Sequence, residues 1–257
     1  MQIRVENLFF NGIENVSFDI EREKITGIIC NNIDDLGNIN ESIYENKKQK
    51  GIIKYIPRYN IKKMGLISIK EINNMIYGNS YDFILSKSKE YKYNTDKLQE
   101  IIKIIGITDS ILKRDISTLS TSEKIKVLFA RVLLYNPDTI LIDNIFPELD
   151  SKSRDKLFKI LIKLNKFEHK TIVISTIDVD TIFEFVDNII LINNGVCLSC
   201  SDKYSSYEND NILDNDLIEK PLVVNISNKI YEKNQIKLGK NDSINELIKA
   251  IYREVRW

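Results

Sequence analysis

Near the start of the chain, apolar residues recur at every second position. Alternation in Gln2-Ile3-Arg4-Val5 and in Val16-Ser17-Phe18-Asp19-Ile20 predicts two half-buried strands, and the apolar run 25–29 predicts a strand covered on both faces. From Thr95 the period lengthens. Leu98, Ile101, Ile102 and Ile105 fall at i, i+3, i+4 and i+7 and stop at Gly106, which predicts an amphipathic helix. A second helix is expected after Ser120, with Ile125, Leu128, Phe129, Val132 and Leu133 on one face and its end at Asn136-Pro137. Strand 139–142, helix 151–165, strand 171–175, helix 178–187 and strand 189–192 follow. Such alternation predicts an α/β fold, a parallel sheet with crossover helices.

The polar stretch 201–215 has no apolar periodicity and reads as a linker or irregular loop. Beyond it, Leu222, Ile226 and Ile230 space as one helix. Ile244, Leu247, Ile248, Ile251 and Val255 space as another, behind the capping box Ser243-x-x-Glu246.

Composition narrows the function classes. Lys and Arg number 37 against 37 Asp and Glu, which leaves no excess of positive charge to hold a phosphodiester backbone, so no nucleic-acid partner is expected. No apolar run approaches the roughly 20 residues needed to cross a bilayer, and no secretory leader is recognised. With three cysteines, an odd number, the expected setting is a reducing, cytoplasmic one.

Five segments in order then carry a resemblance. Leu119-Ser120-Thr121-Ser122-Glu123 stands where ATP-binding-cassette (ABC) ATPases have their LSGGQ signature, and Thr139-Ile140-Leu141-Ile142-Asp143 resembles the Walker B strand. Leu149-Asp150 resembles the D-loop. Ile174-Ser175-Thr176-Ile177-Asp178 resembles the switch segment, and Asn193-Asn194-Gly195 the hairpin after it. The tail, from Pro221-Leu222-Val223-Val224 through Ser243-Ile244-Asn245-Glu246-Leu247, resembles that of energy-coupling-factor (ECF) transporter ATPases. The resemblance implies a P-loop NTPase-like ABC fold. Its core lobe would be 1–60 with 136–205, its helical signature subdomain 61–135, and its helical C-terminal extension 206–257.

Against that family pattern the chain has lost several residues. A phosphate loop needs glycines, so that successive N–H groups close on the phosphates, and a Lys for the β and γ charges. Here it would read Cys30-Asn31-Asn32-Ile33-Asp34-Asp35-Leu36-Gly37-Asn38, with Leu36 at the Lys position. Asp34 and Asp35 would each repel a polyphosphate by about 1 kcal/mol in water and several at low dielectric. Lys47 or Lys48 is a weak substitute without a Gly-rich lead-in. Only about twenty residues lead on to Tyr55-Ile56-Pro57-Arg58, where Arg58 stands in the place of the family's Q-loop glutamine, so the helix after the loop is expected to be short and its dipole weak. Asn144 replaces the Glu that would polarise the attacking water, and an amide cannot take a proton as a carboxylate does. The single histidine, His169, lies eight residues before Ile177, where the switch histidine would stand. The chain's own site is therefore expected to be inactive, with no catalytic residue, no metal ligand and no cofactor of its own.

ABC subunits of this family pair head to tail, so a signature serves the partner's ATP. Ser120, Thr121, Ser122 and Glu123 are thus candidates to face a partner's nucleotide, and Asp150 to meet the partner at the D-loop. The other reading of Ser120-x-x-Glu123 is a capping box that starts a helix, and both stay open. For Asp143 a structural role capping the next loop is preferred over a magnesium role. Phe9 and Phe10 are expected in the core rather than on an adenine, and the lone Cys197-x-x-Cys200 as a coincidence rather than a zinc site. The run 46–50 is expected as a solvated face. The resemblance implies an importer subunit, ECF-like, paired with an intact ATPase whose ATP and Mg occupy the shared site. It would lie against the inner face of the membrane and grip a transmembrane subunit through residues 55–95, where 55–75 mixes apolar and basic positions. The alternative is an adaptor or regulator that reuses the fold without nucleotide.

Overall fold

The computed structural model describes residues 1–58, 60, 63–86, 95–207 and 219–254. The chain opens with β1 (Gln2–Phe10), β2 (Ile13–Ile20), β3 (Ile25–Cys30), α1 (Ile33–Glu45), β4 (Lys50–Ile56) and β5 (Met64–Ser68). The strands β2, β1 and β4 form a three-stranded antiparallel sheet in that order. Helices α2 (Ile69–Asn73), α3 (Ser80–Leu85), α4 (Thr95–Ile105), α5 (Asp109–Lys113) and α6 (Thr121–Leu134) come next. Then follow β6 (Thr139–Asp143), α7 (Ser151–Glu168), β7 (Thr171–Thr176), α8 (Val179–Ile182), β8 (Asn188–Asn193) and β9 (Val196–Asp202). They complete a six-stranded sheet of order β5-β6-β7-β3-β8-β9, parallel except for the edge strand β9. The α/β architecture expected from the alternation is the one formed.

Both faces of the six-stranded sheet are covered, which is why its strands read as unbroken apolar runs. Ile140, Ile142, Ile172, Ile174, Ile189 and Leu191 join a core with α6 and α7. Leu141, Val173, Ile190 and Ile192 join a second core with Leu36, Ile39 and Ile43 of α1 and Ile3, Val5 and Leu8 of β1. Helix α1 thus packs between the two sheets, touching strands of each.

Two tight turns tie the sheets together. Asn11 and Gly12 (φ 46° and 92°) join β1 to β2, and Asn194 and Gly195 (φ 46° and 73°) join β8 to β9, the backbone that two-residue hairpins need. The turns dock on each other: Glu14 N donates to Gly195 O at 2.9 Å, and a Cβ at Gly195 would lie 2.3 Å from Gly12 O. Gly195→Ala is expected to destabilise the fold by about 1–2 kcal/mol through strain and clash, read as a lower denaturant midpoint, whereas Gly37→Ala, with open space at the Cβ, should not.

Some expectations are corrected here. Instead of a helix over 178–187, α8 makes a single turn, after which Phe183 and Val186 remain buried outside a helix; the Asp187 carboxylate accepts from Ile25 N at 2.9 Å and takes the chain to β8. Residues 201–207 are not a linker. Strand β9 runs through Asp202, and Ser206 and Tyr207 are buried, with Ser206 Oγ donating to Ile189 O at 3.1 Å. A polar residue bonded to a strand carbonyl belongs in a core as well as an apolar one does. Residues 208–215 of that stretch lie outside the described residues. Helix α7 also continues past the expected 165, to Glu168.

The last helices are α9 (Leu222–Asn234) and α10 (Ile244–Glu254), and Val255 lies outside the described residues. Val223 and Leu247 enter the main core, Ala250 is buried, and Lys203 pairs with Asp242 at 2.6 Å. Glu246 N donates to Ser243 Oγ at 3.4 Å, but the Glu246 carboxylate accepts from Asp242 N, one residue earlier than a capping box requires. Among the described residues no helix is long and apolar enough to cross a membrane.

Candidate functional site

In a parallel sheet, ligands gather beyond the carboxyl ends of the strands. At the end of β3 only Asn31 and Asn32 separate the strand from α1. Asn32 is extended (φ −123°, ψ 127°), and its side chain accepts from Asp34 N at 2.9 Å, so one of the free N–H groups at the helix start is taken by the chain itself. No glycine stands at this turn. Leu36 is fully buried in the second core and forms part of the helix, not of a loop. Asp34 is exposed, but Asp35 is buried and its carboxylate accepts from Gly195 N at 3.1 Å. Asp35 therefore braces the β8–β9 turn, and only Asp34 of the pair faces the open site.

Helix α1 itself corrects the expectation of a short helix, since it runs for 13 residues. At 1.5 Å per residue that places Lys47 roughly 20 Å from its start, ion-paired to Glu41 and Glu45, which removes it as a substitute phosphate ligand. Arg58 follows β4 in the antiparallel sheet. The residue that the parallel sheet sets beside Asp143 is Ser68, at the end of β5. Arg58 thus does not occupy the position expected for it. Ser68 was legible only as the polar residue closing a short apolar run.

A cleft of roughly 500 Å³ lies over these strand ends, with Ser68, Asn40 and Asp143 among its walls. Its charge is mostly negative, from Asp34, Glu41, Glu45, Glu71 and Asp143 against Lys70. Burial pushes the Asp143 carboxyl up to about 6 from 3.8. Asn40 lies close enough to oppose that shift partly, yet its Nδ2 reaches no hydrogen-bond geometry, and its Oδ1 instead accepts from Ser175 Oγ at 3.0 Å. Among the described residues no backbone N–H caps Asp143, so the loop-capping role expected for it is not the one it plays. Beside it Asn144 holds a left-handed backbone (φ 47°), donates its N–H to Ser175 O at 2.8 Å and accepts from Thr176 Oγ1. Asn tolerates that backbone better than Glu. Ile177, at the switch position, is about half exposed.

The segment 120–123 opens α6. Ser120 and Glu123 form a complete capping box, with Glu123 N donating to Ser120 Oγ at 3.3 Å and Ser120 N to the Glu123 carboxylate at 2.9 Å. Arg114 adds a 2.9 Å ion pair, and these donors hold the Glu123 carboxyl below its usual range, the Ser120 N–H contributing most. Ser120 and Thr121 are exposed and Ser122 partly so. Glu123→Ala is expected to cost about 1 kcal/mol, a fall of about 2–4 °C in melting temperature. Asp150 caps α7, accepting from Ser153 N at 2.9 Å and Ser153 Oγ at 2.7 Å, which lowers its pKa. Neither segment lines the acidic cleft. Phe10 is buried as expected, while Phe9 is partly exposed under Lys50, 5.9 Å from its ring centre. Cys197 and Cys200 lie within β9 with their thiols pushed up, to about 11 for Cys197, by burial. No group of metal-ligating side chains occurs among the described residues.

Similar proteins have this architecture. No family model matches the chain. The energy-coupling factor transporter ATP-binding protein EcfA2 of Mesoplasma florum is 27% identical over 173 residues, 67% of this chain and 54% of that protein. The chain spans about half the length of that curated relative. Among solved structures, cbiO1 from Clostridium perfringens, part of an ABC transporter complex, superposes with a TM-score of 0.68 at 17% identity over 91% of this chain and 95% of that one. A dimeric bacterial ABC transporter cassette gives 0.68 at 20% identity over 78% and 98%. The chain has the fold of an ABC ATPase cassette and resembles, in sequence, the ATP-binding proteins of energy-coupling-factor transporters.

Proposed function

We propose that this chain is the non-hydrolysing cassette of an ECF-like importer, paired with an intact ATPase and coupled to a transmembrane subunit. The observation that carries the reading is the junction of β3 and α1. Two residues, with a self-capped helix start and Leu36 turned into the core, offer no ring of N–H groups and no lysine to a polyphosphate. The residues present do not fit ATP with Mg, and the acidic cleft beyond them repels it. Asn144 has no basic oxygen for the attacking water.

The remaining role is toward a partner. Ser120, Thr121, Ser122 and Glu123 face the partner's ATP, although the capping box leaves the Ser120 hydroxyl already engaged and makes that closure weak. Asp150 meets the partner at the seam. The exposed Ile76, Tyr77 and Tyr81 sit within the segment that docks a membrane subunit, and they support that contact; residues 59, 61, 62 and 87–94 of the segment lie outside the described residues. The complex lies on the inner face of the membrane.

A fluorescent ATP analogue titrated into the chain alone is expected to show no saturable binding up to about millimolar concentration, the weak end of specific affinity. Binding should emerge only with an intact ATPase partner. Saturable binding by the chain alone, or hydrolysis by it, would refute the proposal.

A further inference from the structure

Opposite the acidic cleft, at the entry edge of the parallel sheet, helices α4, α6 and α7 enclose a hollow of roughly 520 Å³, a volume typical of small-ligand sites. Asn136 and Lys170, which precede β6 and β7, mark its place at the strand starts, so it is separate from the site over the strand ends. Its floor is apolar, built from Ile101, Leu133, Ile160 and Leu164, with Ile104 and Phe167 on the lip. Phe167 is 78% exposed and Ile104 44%.

The rim is basic. Lys97, Lys156, Lys159, Lys163 and Lys170 stand around the hollow against Glu100 and Glu168. Lys170 Nζ is engaged by Asn136 Oδ1 at 2.6 Å; its pKa is lowered by burial, and the charges of Lys97 and Lys63 add to that. Among the described residues no ion pair neutralises Lys97, Lys156, Lys159 or Lys163. Like charges gathered around an apolar floor repel one another until an anion is placed among them.

We infer that this hollow binds a single-chain anionic amphiphile, an alkyl or acyl chain on the floor and a phosphate or carboxylate head among the lysines. A protein partner fits less well, because only two apolar side chains project from the lip, whereas a stable protein interface covers about 800 Å² on each side. Lysine stems also suit the ligand, lying along apolar surface while their ammonium groups meet the head.

The test uses the full chain and decyl phosphate below its micelle concentration, followed by calorimetric titration and phosphorus NMR. Saturable one-to-one binding is expected, with n-decanol and ethyl phosphate each weaker by about tenfold or more, since each lacks one half of the recognition. Lys159→Glu with Lys163→Glu, both exposed, should weaken decyl phosphate by about tenfold. Ile104→Gln should weaken it severalfold with the melting temperature unchanged. Absence of saturable binding, equal binding of n-decanol, or indifference to the charge reversals would overturn the inference. Binding only to vesicles of anionic lipid, with none of the monomeric amphiphile, would also overturn it and assign the lysines to a membrane surface.

Discussion

Phe158→Ala is expected to lower stability by about 3–5 kcal/mol, the largest loss of any single truncation considered for this fold. Phe158 is 1% exposed and stacks between Phe146, at 4.5 Å and 4° between ring planes, and Phe185, at 3.9 Å and 12°. Removing the middle ring deletes both stacked contacts and leaves a cavity that α7 cannot close. The backbone of α7 is fixed at its start by the Asp150 cap, and Leu157 and Leu161 are also buried in the core. For a chain of this size the loss corresponds to about 10 °C in melting temperature. Phe167→Ala on the same helix should move it little, because that ring is exposed. A scanning-calorimetry difference between the two variants of less than a few degrees would show that the three rings do not pack as described.

The parallel sheet was legible because covered strands must be apolar on both faces, and 139–142, 171–175 and 189–192 contain little else. Helix α1 was less legible. Leu36, Ile39 and Ile43 have helical spacing, but the polar residues around them read as a damaged phosphate loop, and the structure shows instead that the loop is absent and the helix intact. Asp35 illustrates a second limit. From sequence, Asp34 and Asp35 are two equivalent charges, while in the fold one faces solvent and the other holds the Gly195 turn, a contact across 160 residues. Position 58 failed for a third reason: local resemblance of 55–58 to a strand and turn carries no information about which sheet that strand joins. The helices after Ser120 and Asp150 begin where expected, since a helix start announces itself in the residues that cap it.

Asp143→Asn provides the second large effect, and its sign separates a structural carboxylate from a metal ligand. The folded chain holds the Asp143 carboxyl at about 6, above its ordinary value of 3.8, because burial penalises the charge. A raised carboxyl pKa means that the native state binds more protons than the unfolded state between those values. The contribution of Asp143 to stability is therefore greatest below about pH 4, falls as the pH rises to about 6, and stays lower above it. The penalty at neutral pH is about 3 kcal/mol at most, from the rise of the carboxyl pKa from 3.8 to about 6. Asparagine never carries the charge. Asp143→Asn should therefore unfold at higher denaturant concentration than the unaltered chain at pH 7.5, by up to about 2–3 kcal/mol, and the two curves should converge near pH 3.5. A cassette that uses this carboxylate to hold Mg would behave otherwise, with stability rising on addition of Mg-ATP and that rise lost in the variant. On the function proposed here, Mg-ATP leaves the chain's melting temperature unchanged, and Asp143→Asn leaves the ATPase rate of the assembled pair unchanged. A fall in that rate beyond about tenfold, the scale of a lost metal contact, would return Asp143 to the chemistry and refute the non-hydrolysing assignment.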